Sequence, residues 1–131
     1  APVKTFNNPL KNFYFKYIKK QNPYSLEAVE ELLSKFKKNV TLLKGNSNEI
    51  LKNIELEKVD FIFIDGGHEY NTVKNDLTHS HRLLKNKGTI LCDDLNLSQA
   101  LGVRQAIKEF SEENKIDFEI VHERFAKFNF N

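Results

Sequence analysis

Asp65, His68, Asp93 and Asp94 are the residues of this 131-residue chain whose types and spacing could do chemistry. The first two lie in DFIFIDGGHEY, residues 60–70, where an apolar run gives way at once to an acid, two glycines and a histidine. The other two close a second apolar run, GTILCDD, residues 88–94. Carboxylates brought together repel unless something positive sits between them. Donors that are all oxygen select a hard ion, Mg²⁺, Ca²⁺ or Mn²⁺. A histidine beside such a site can act as a general base near neutral pH. Taken singly, Asp93 and Asp94 read as an ordinary loop turn, and His68 as a polar residue entering a helix. Taken together at two strand ends, the acids read as a metal site.

That reading depends on the elements that carry the residues. Val59–Ile64 and Thr89–Cys92 have the length and apolar content of buried strands. Between them, Tyr70 to Leu84 carries Val73, Leu77 and Leu84 at helical spacing, with Asn86-Lys87-Gly88 as its stop. Parallel strands joined by helical crossovers share one carboxyl edge, where ligands bind in such folds. Asp65 and Asp93 would then stand on neighbouring strand ends about 4.8 Å apart. Gly66 and Gly67 allow a sharp turn and a close backbone approach there.

The rest of the chain fits the same class. Asn8-Pro9 opens a helix carrying Leu10, Phe13, Tyr14, Tyr17 and Ile18, which Asn22-Pro23 breaks. Ser25 caps a second, with Leu26, Val29, Leu32, Leu33 and Phe36 on its apolar face. These aromatic-rich helices read as core rather than as a substrate pocket. Val40–Leu43 reads as a short strand leading to Gly45-Asn46-Ser47, where Ser47 caps a helix through Ile54. From spacing alone, the cap is favoured over a ligand contact. A helix with Val103, Ala106, Ile107 and Phe110 inside follows, then a strand, Phe118–Val121. Phe125, Phe128 and Phe130 are apolar but find no partner by pattern. The order predicts an α/β fold, a Rossmann-like, mostly parallel sheet flanked by helices, as one domain over residues 1–131.

Composition excludes several classes. A net charge of +2, with both signs interspersed, argues against nucleic acid. No apolar run approaches the ~20 residues of a membrane helix. One cysteine, Cys92, implies no disulfide and suits a cytoplasmic setting. The three arginines, Arg82, Arg104 and Arg124, form no cluster in sequence, which ranks phosphoester hydrolysis lowest. His79, His81 and His122 read as surface or packing residues.

VDFIFIDGGHEYNTVKNDL followed by LLKNKGTILCDDLN resembles the second half of a class I S-adenosylmethionine-dependent methyltransferase. The similarity is to the metal-dependent sugar O-methyltransferases and to catechol O-methyltransferase, over about Val40–Phe110. The resemblance implies Asp65, Asp93 and Asp94 as ligands of Mg²⁺ or another hard divalent cation. It implies His68 as general base, and Asn46, Ser47 and Asp65 as positions facing the cofactor, S-adenosylmethionine. The substrate it implies is a small hydroxylated molecule such as a sugar.

Two departures stand out. The family's glycine-rich loop is absent, since glycines 45, 66, 67, 88 and 102 make no GxGxG. The acid that ends the family's second strand is missing too, with Asn7 standing after Val3–Phe6 where it would be expected. The chain therefore reads as part of a longer methyltransferase, with Ala1 in place of a starting Met. The alternative is a degenerate Rossmann-like module with an assembly role. In the family's fold the first strand would lie beside Val59–Ile64, and without it an apolar edge is exposed, so the chain is expected to be poorly stable, to self-associate as a homo-oligomer, or to have a partner covering that edge.

Overall fold

The computed structural model describes residues 8–14 and 25–130. The expectations for Val3–Asn7 and for Tyr17, Ile18 and Asn22-Pro23 lie outside these residues. The chain divides into two compact units, Ala1–Lys44 and Gly45–Asn131.

In the first unit, helix α1 spans Pro9–Phe13, and the Asn8 carboxamide accepts from the backbone N–H of Leu10 (2.9 Å) and Lys11 (3.4 Å). Helix α2, Leu26–Leu32, starts under Ser25, whose hydroxyl accepts from Ala28 N–H (3.2 Å). A 3₁₀ turn, Ser34–Phe36, follows. No described residue of this unit is buried, and Leu10, Phe13, Leu32 and Phe36 are exposed. The expected core role of these helices therefore does not hold among the described residues. Val40–Leu43 forms no strand: it has no ladder partner among the described residues, and Val40 and Leu43 are exposed.

The second unit holds the sheet. Helix α3 is Ser47–Asn53, and Asn46, not Ser47, caps it by accepting from Asn48 N–H (3.0 Å). Then come β1 (Val59–Ile64), α4 (Tyr70–Leu83), β2 (Leu84–Cys92), α5 (Leu101–Asn114), β3 (Phe118–Val121) and β4 (Phe125–Asn129). The strand order is β1-β2-β4-β3. β1 and β2 are parallel, while the other two pairings are antiparallel. The Rossmann-like α/β class holds with a mixed sheet of four strands. Phe125 and Phe128, which find no partner by pattern, lie in β4: Phe128 pairs with Ile90 of β2 and Phe118 of β3, and Phe125 with Val121 of β3.

Alternation sets which face is covered. Ile62, Ile90, Phe128 and Phe118 form one row across the sheet, and Ile64, Cys92, Ala126 and Ile120 the next. Most of these side chains join the buried faces of α4 (Val73, Leu77) and α5 (Val103, Ala106, Ile107, Phe110) in one core. Phe128 is fully buried, its ring 5.2 Å from that of Phe110 and 5.5 Å from that of Phe118. The opposite face carries Phe61 and Phe63, which are 56% and 49% exposed. β1 is thus covered on one face only, not on both as its composition suggests.

Asn86-Lys87-Gly88 does not end a helix. α4 stops at Leu83, and β2 already pairs at Leu84, opposite Val59. The next pair is Phe61 with Thr89, so the residues between bulge out, with Lys87 at φ 67°. Burial of Leu84 drives this, and a Cβ at Gly88 would fall 2.5 Å from Leu84 Cγ.

Candidate active site

The carboxyl ends of β1 and β2 lie side by side, because the ladder continues one step past β2 in the bond from Asp93 N–H to Ile64 C=O (2.9 Å). This brings Asp65, Asp93 and Asp94 together: each offers one oxygen, and these lie within 4.8 Å of one another. Asp65 is exposed, Asp94 half-buried and Asp93 only 4% exposed. Asp94 takes a left-handed backbone, φ 61°, and its N–H donates to Asp93 Oδ1 (2.6 Å). His68 stands at the same mouth, its Nε2 2.9 Å from Asp94 Oδ2. Three convergent hard oxygen donors on neighbouring strand ends fit a divalent cation such as Mg²⁺.

The glycines work by closeness rather than by turning. Neither Gly66 nor Gly67 has a positive φ, so neither is needed here for a left-handed conformation. A Cβ on Gly66 would lie 3.3 Å from Asp76 Oδ2, and one on Gly67 would lie 3.2 Å from Thr72 Cγ2. Gly102 is more constrained: a Cβ there would lie 2.6 Å from Tyr70 N and 3.0 Å from His68 O. It is the contact that seats the start of α5 against the His68–Tyr70 segment. Tyr70 adds to this join by donating its hydroxyl to Glu109 on α5.

Two residues of the site escaped the sequence pattern. Arg124, in the turn between β3 and β4, places Nε on Asp93 Oδ1 and Nη2 on Asp93 Oδ2, both at 2.5 Å. It lies 31 positions from Asp93, and no spacing rule links them. Arg124 holds the Asp93 carboxyl below the usual carboxylate range; burial opposes, and the Asp94 N–H assists. Asp76 on α4 is 4% exposed, and its Oδ1 has no hydrogen-bond partner. Burial raises its pKa; the Ser47 hydroxyl, which bonds to it, and the nearby His79 pull the other way. Ser47 is therefore linked through Asp76 to Gly66, while Asn46 lies at the α3 cap. Cys92 lies beneath the acids, its thiol pushed up to about 12 by burial first and by the negative charge of Asp93 and its neighbours next. It is inert packing.

His79 faces Asp76 electrostatically, and His81 stacks on Phe130 with ring centroids 4.6 Å apart. His122 sits in the β3–β4 turn. None joins the acidic cluster.

A family model described as a methyltransferase domain matches residues 8–95, more than half of the chain. The chain belongs to this methyltransferase-domain family, and its α/β fold is that of the class I S-adenosylmethionine-dependent methyltransferases. Among solved structures it is similar to the O-methyltransferase NovP, at 12% identity and a TM-score of 0.70, covering 100% of this chain and 55% of that one. It is also similar to CalS11, a TDP-rhamnose 3′-O-methyltransferase of calicheamicin biosynthesis, at 16% identity and a TM-score of 0.60, covering 79% and 51%. A third similar structure is Aeropyrum pernix fibrillarin with natively bound S-adenosyl-L-methionine, at 12% identity and a TM-score of 0.52, covering 82% and 53%. The chain spans about half the length of each. No curated protein matches it in sequence. No helix among the described residues is long and apolar enough to cross a membrane.

Proposed function

We propose that this chain contributes the catalytic edge of an S-adenosylmethionine-dependent O-methyltransferase that acts, with a hard divalent cation, on a small hydroxylated molecule such as a sugar. The observation that carries the reading is the convergence of Asp65, Asp93 and Asp94 within 4.8 Å, with His68 bonded to Asp94. The family match spans the boundary between the two units, which supports treating residues 1–131 as parts of one methyltransferase domain.

Asp65, Asp93 and Asp94 would hold the cation. When bound, Mg²⁺ lowers the pKa of a coordinated hydroxyl, and S-adenosylmethionine supplies the methyl group. His68 keeps its Nε2–H on Asp94, which leaves Nδ1 to take the substrate proton, and Asp94 stabilises the imidazolium that results. Asp65 at the strand end, with Asn46 and Ser47 at the α3 cap, would face the cofactor. The buried thiol of Cys92 suits a cytoplasmic setting.

Calorimetry of the full chain with S-adenosylmethionine and Mg²⁺ tests the reading. Binding that disappears in Asp65→Ala is expected, and heat that survives this change would sink it. The exposed Phe61 and Phe63 on β1 favour a second reading, a partner-binding module without catalysis. A tight oligomer with no cofactor binding would support that reading, and methyl transfer would rule it out.

A further inference from the structure

Three carboxylates this close repel one another unless positive charge sits among them, and the structure places a guanidinium there. Arg124 covers both oxygens of Asp93, and its Nη2 lies 3.9 Å from Asp94 Oδ1. The Asp94 N–H takes a further acceptor position on Asp93 Oδ1. Little of the Asp93 carboxylate is left for a second cation while this fork is closed. The fork is also firmly placed. Its turn is clamped to the loop after β2 by Leu95 N–H on Arg124 C=O (2.9 Å) and by the Asn96 carboxamide on Glu123 C=O (2.6 Å). These bonds hold two left-handed residues, His122 (φ 52°) and Glu123 (φ 57°), that L-side chains disfavour. The Arg124 side chain is 59% exposed, so it has solvent to swing into.

We propose that Arg124 is a positioning residue that serves as the internal counter-cation of the acidic cluster, holding Asp93 ready and yielding it when a divalent cation binds. This rests on the metal reading of Asp65, Asp93 and Asp94. Arg124 thereby sets the affinity for the ion, weakening it by occupying a ligand and adding positive charge nearby.

The test is a Mg²⁺ titration of the full, ¹⁵N-labelled chain, followed both by heat and by the Arg124 Nε–H resonance. In the metal-free protein that proton is held by Asp93, and its signal should move in step with the heat. Arg124→Gln should bind Mg²⁺ about tenfold more tightly, since a nearby like charge is removed and both Asp93 oxygens are freed. Arg124→Lys keeps the charge but not the fork, and should fall between the two. Asp65-dependent heat with an unmoved Arg124 signal, or with unchanged or weaker binding in both variants, would overturn the counter-cation role and leave the metal site standing. Absence of Asp65-dependent heat in the wild type and both variants would overturn the metal reading and this one with it.

Discussion

The guanidinium of Arg124 and the carboxylate of Asp93 form a two-bond fork, Nε to Oδ1 and Nη2 to Oδ2, across 31 residues of chain. It ties the strand end that carries the site to the hairpin that closes the sheet. Because Arg124 depresses the folded-state pKa of Asp93, the unfolded chain takes up this proton first. The stabilisation is therefore complete above the ordinary carboxylate value of about 4 and is lost as pH falls through the lower folded value. Arg124→Gln should melt several degrees lower than wild type at pH 7 in chelator, and the gap should narrow below pH 4. Calorimetric melts from pH 2 to 8 measure it, and a gap constant with pH would count against the fork.

Asp76 works in the opposite direction. Its folded-state pKa is raised by burial, so holding it ionised costs stability, and that cost grows as pH rises through the carboxylate range. Asp76→Asn should match or exceed the wild-type melting temperature at pH 8, by roughly a few degrees. The advantage should vanish at pH 3. A loss of stability at pH 8 would mean that the ionised carboxylate is needed at Ser47.

Gly102→Ala should destabilise by about 1–2 kcal/mol. Overpacking costs about 1–3 kcal/mol, and the better helix propensity of alanine returns up to about 1. The obstructing atoms are backbone at His68 and Tyr70, so they cannot rotate away. Urea unfolding gives the number, and a shifted His68 Cε1–H resonance would show the strain reaching the site.

His68→Asn should leave Mg²⁺ binding near wild type while lowering methyl transfer about 10²–10⁴-fold, the range of a lost general base. The residual rate should rise with pH as the substrate hydroxyl ionises unaided. Wild-type turnover in this variant would remove His68 from the proposed mechanism.

Phe61 and Phe63 stand exposed on β1. Sedimentation of the wild-type chain should show concentration-dependent association through this strand. Phe61→Thr with Phe63→Thr should reduce it while keeping the melting temperature, because neither ring belongs to the core. A monomer at every concentration would refute the expected homo-oligomer.

The site acids were legible because each follows a strand whose apolar run is local: Asp65 after Val59–Ile64, Asp93 after Thr89–Cys92. The buried face of α5 was legible for the same reason, since Val103, Ala106, Ile107 and Phe110 repeat at helical spacing. Arg124 was not, because its role is defined by a partner from another strand and its own neighbours are ordinary turn residues. The Asn86–Gly88 bulge was hidden because Leu84 suits a helix end and a strand start equally, and only its burial against Val59 decides. Val40–Leu43 failed as a strand because propensity supplies no hydrogen-bonding neighbour. The cap at Asn46 rather than Ser47 is a one-residue ambiguity between two good capping residues.

β4 lies between β2 and β3, and its order in space has a consequence in time. Ile90 cannot meet Phe128 until the chain has closed a loop through all of α5 and β3. The β1-α4-β2 pairing closes a shorter loop, through α4 alone, so the insertion of β4 carries the somewhat larger entropic cost. Arg124 arrives with that strand. In that order of events, Asp65, Asp93 and Asp94 would be assembled before the guanidinium that balances them. Such a stage would present acidic, open strand ends, and it would hold Mg²⁺ more tightly than the finished fold, in which Arg124 covers Asp93.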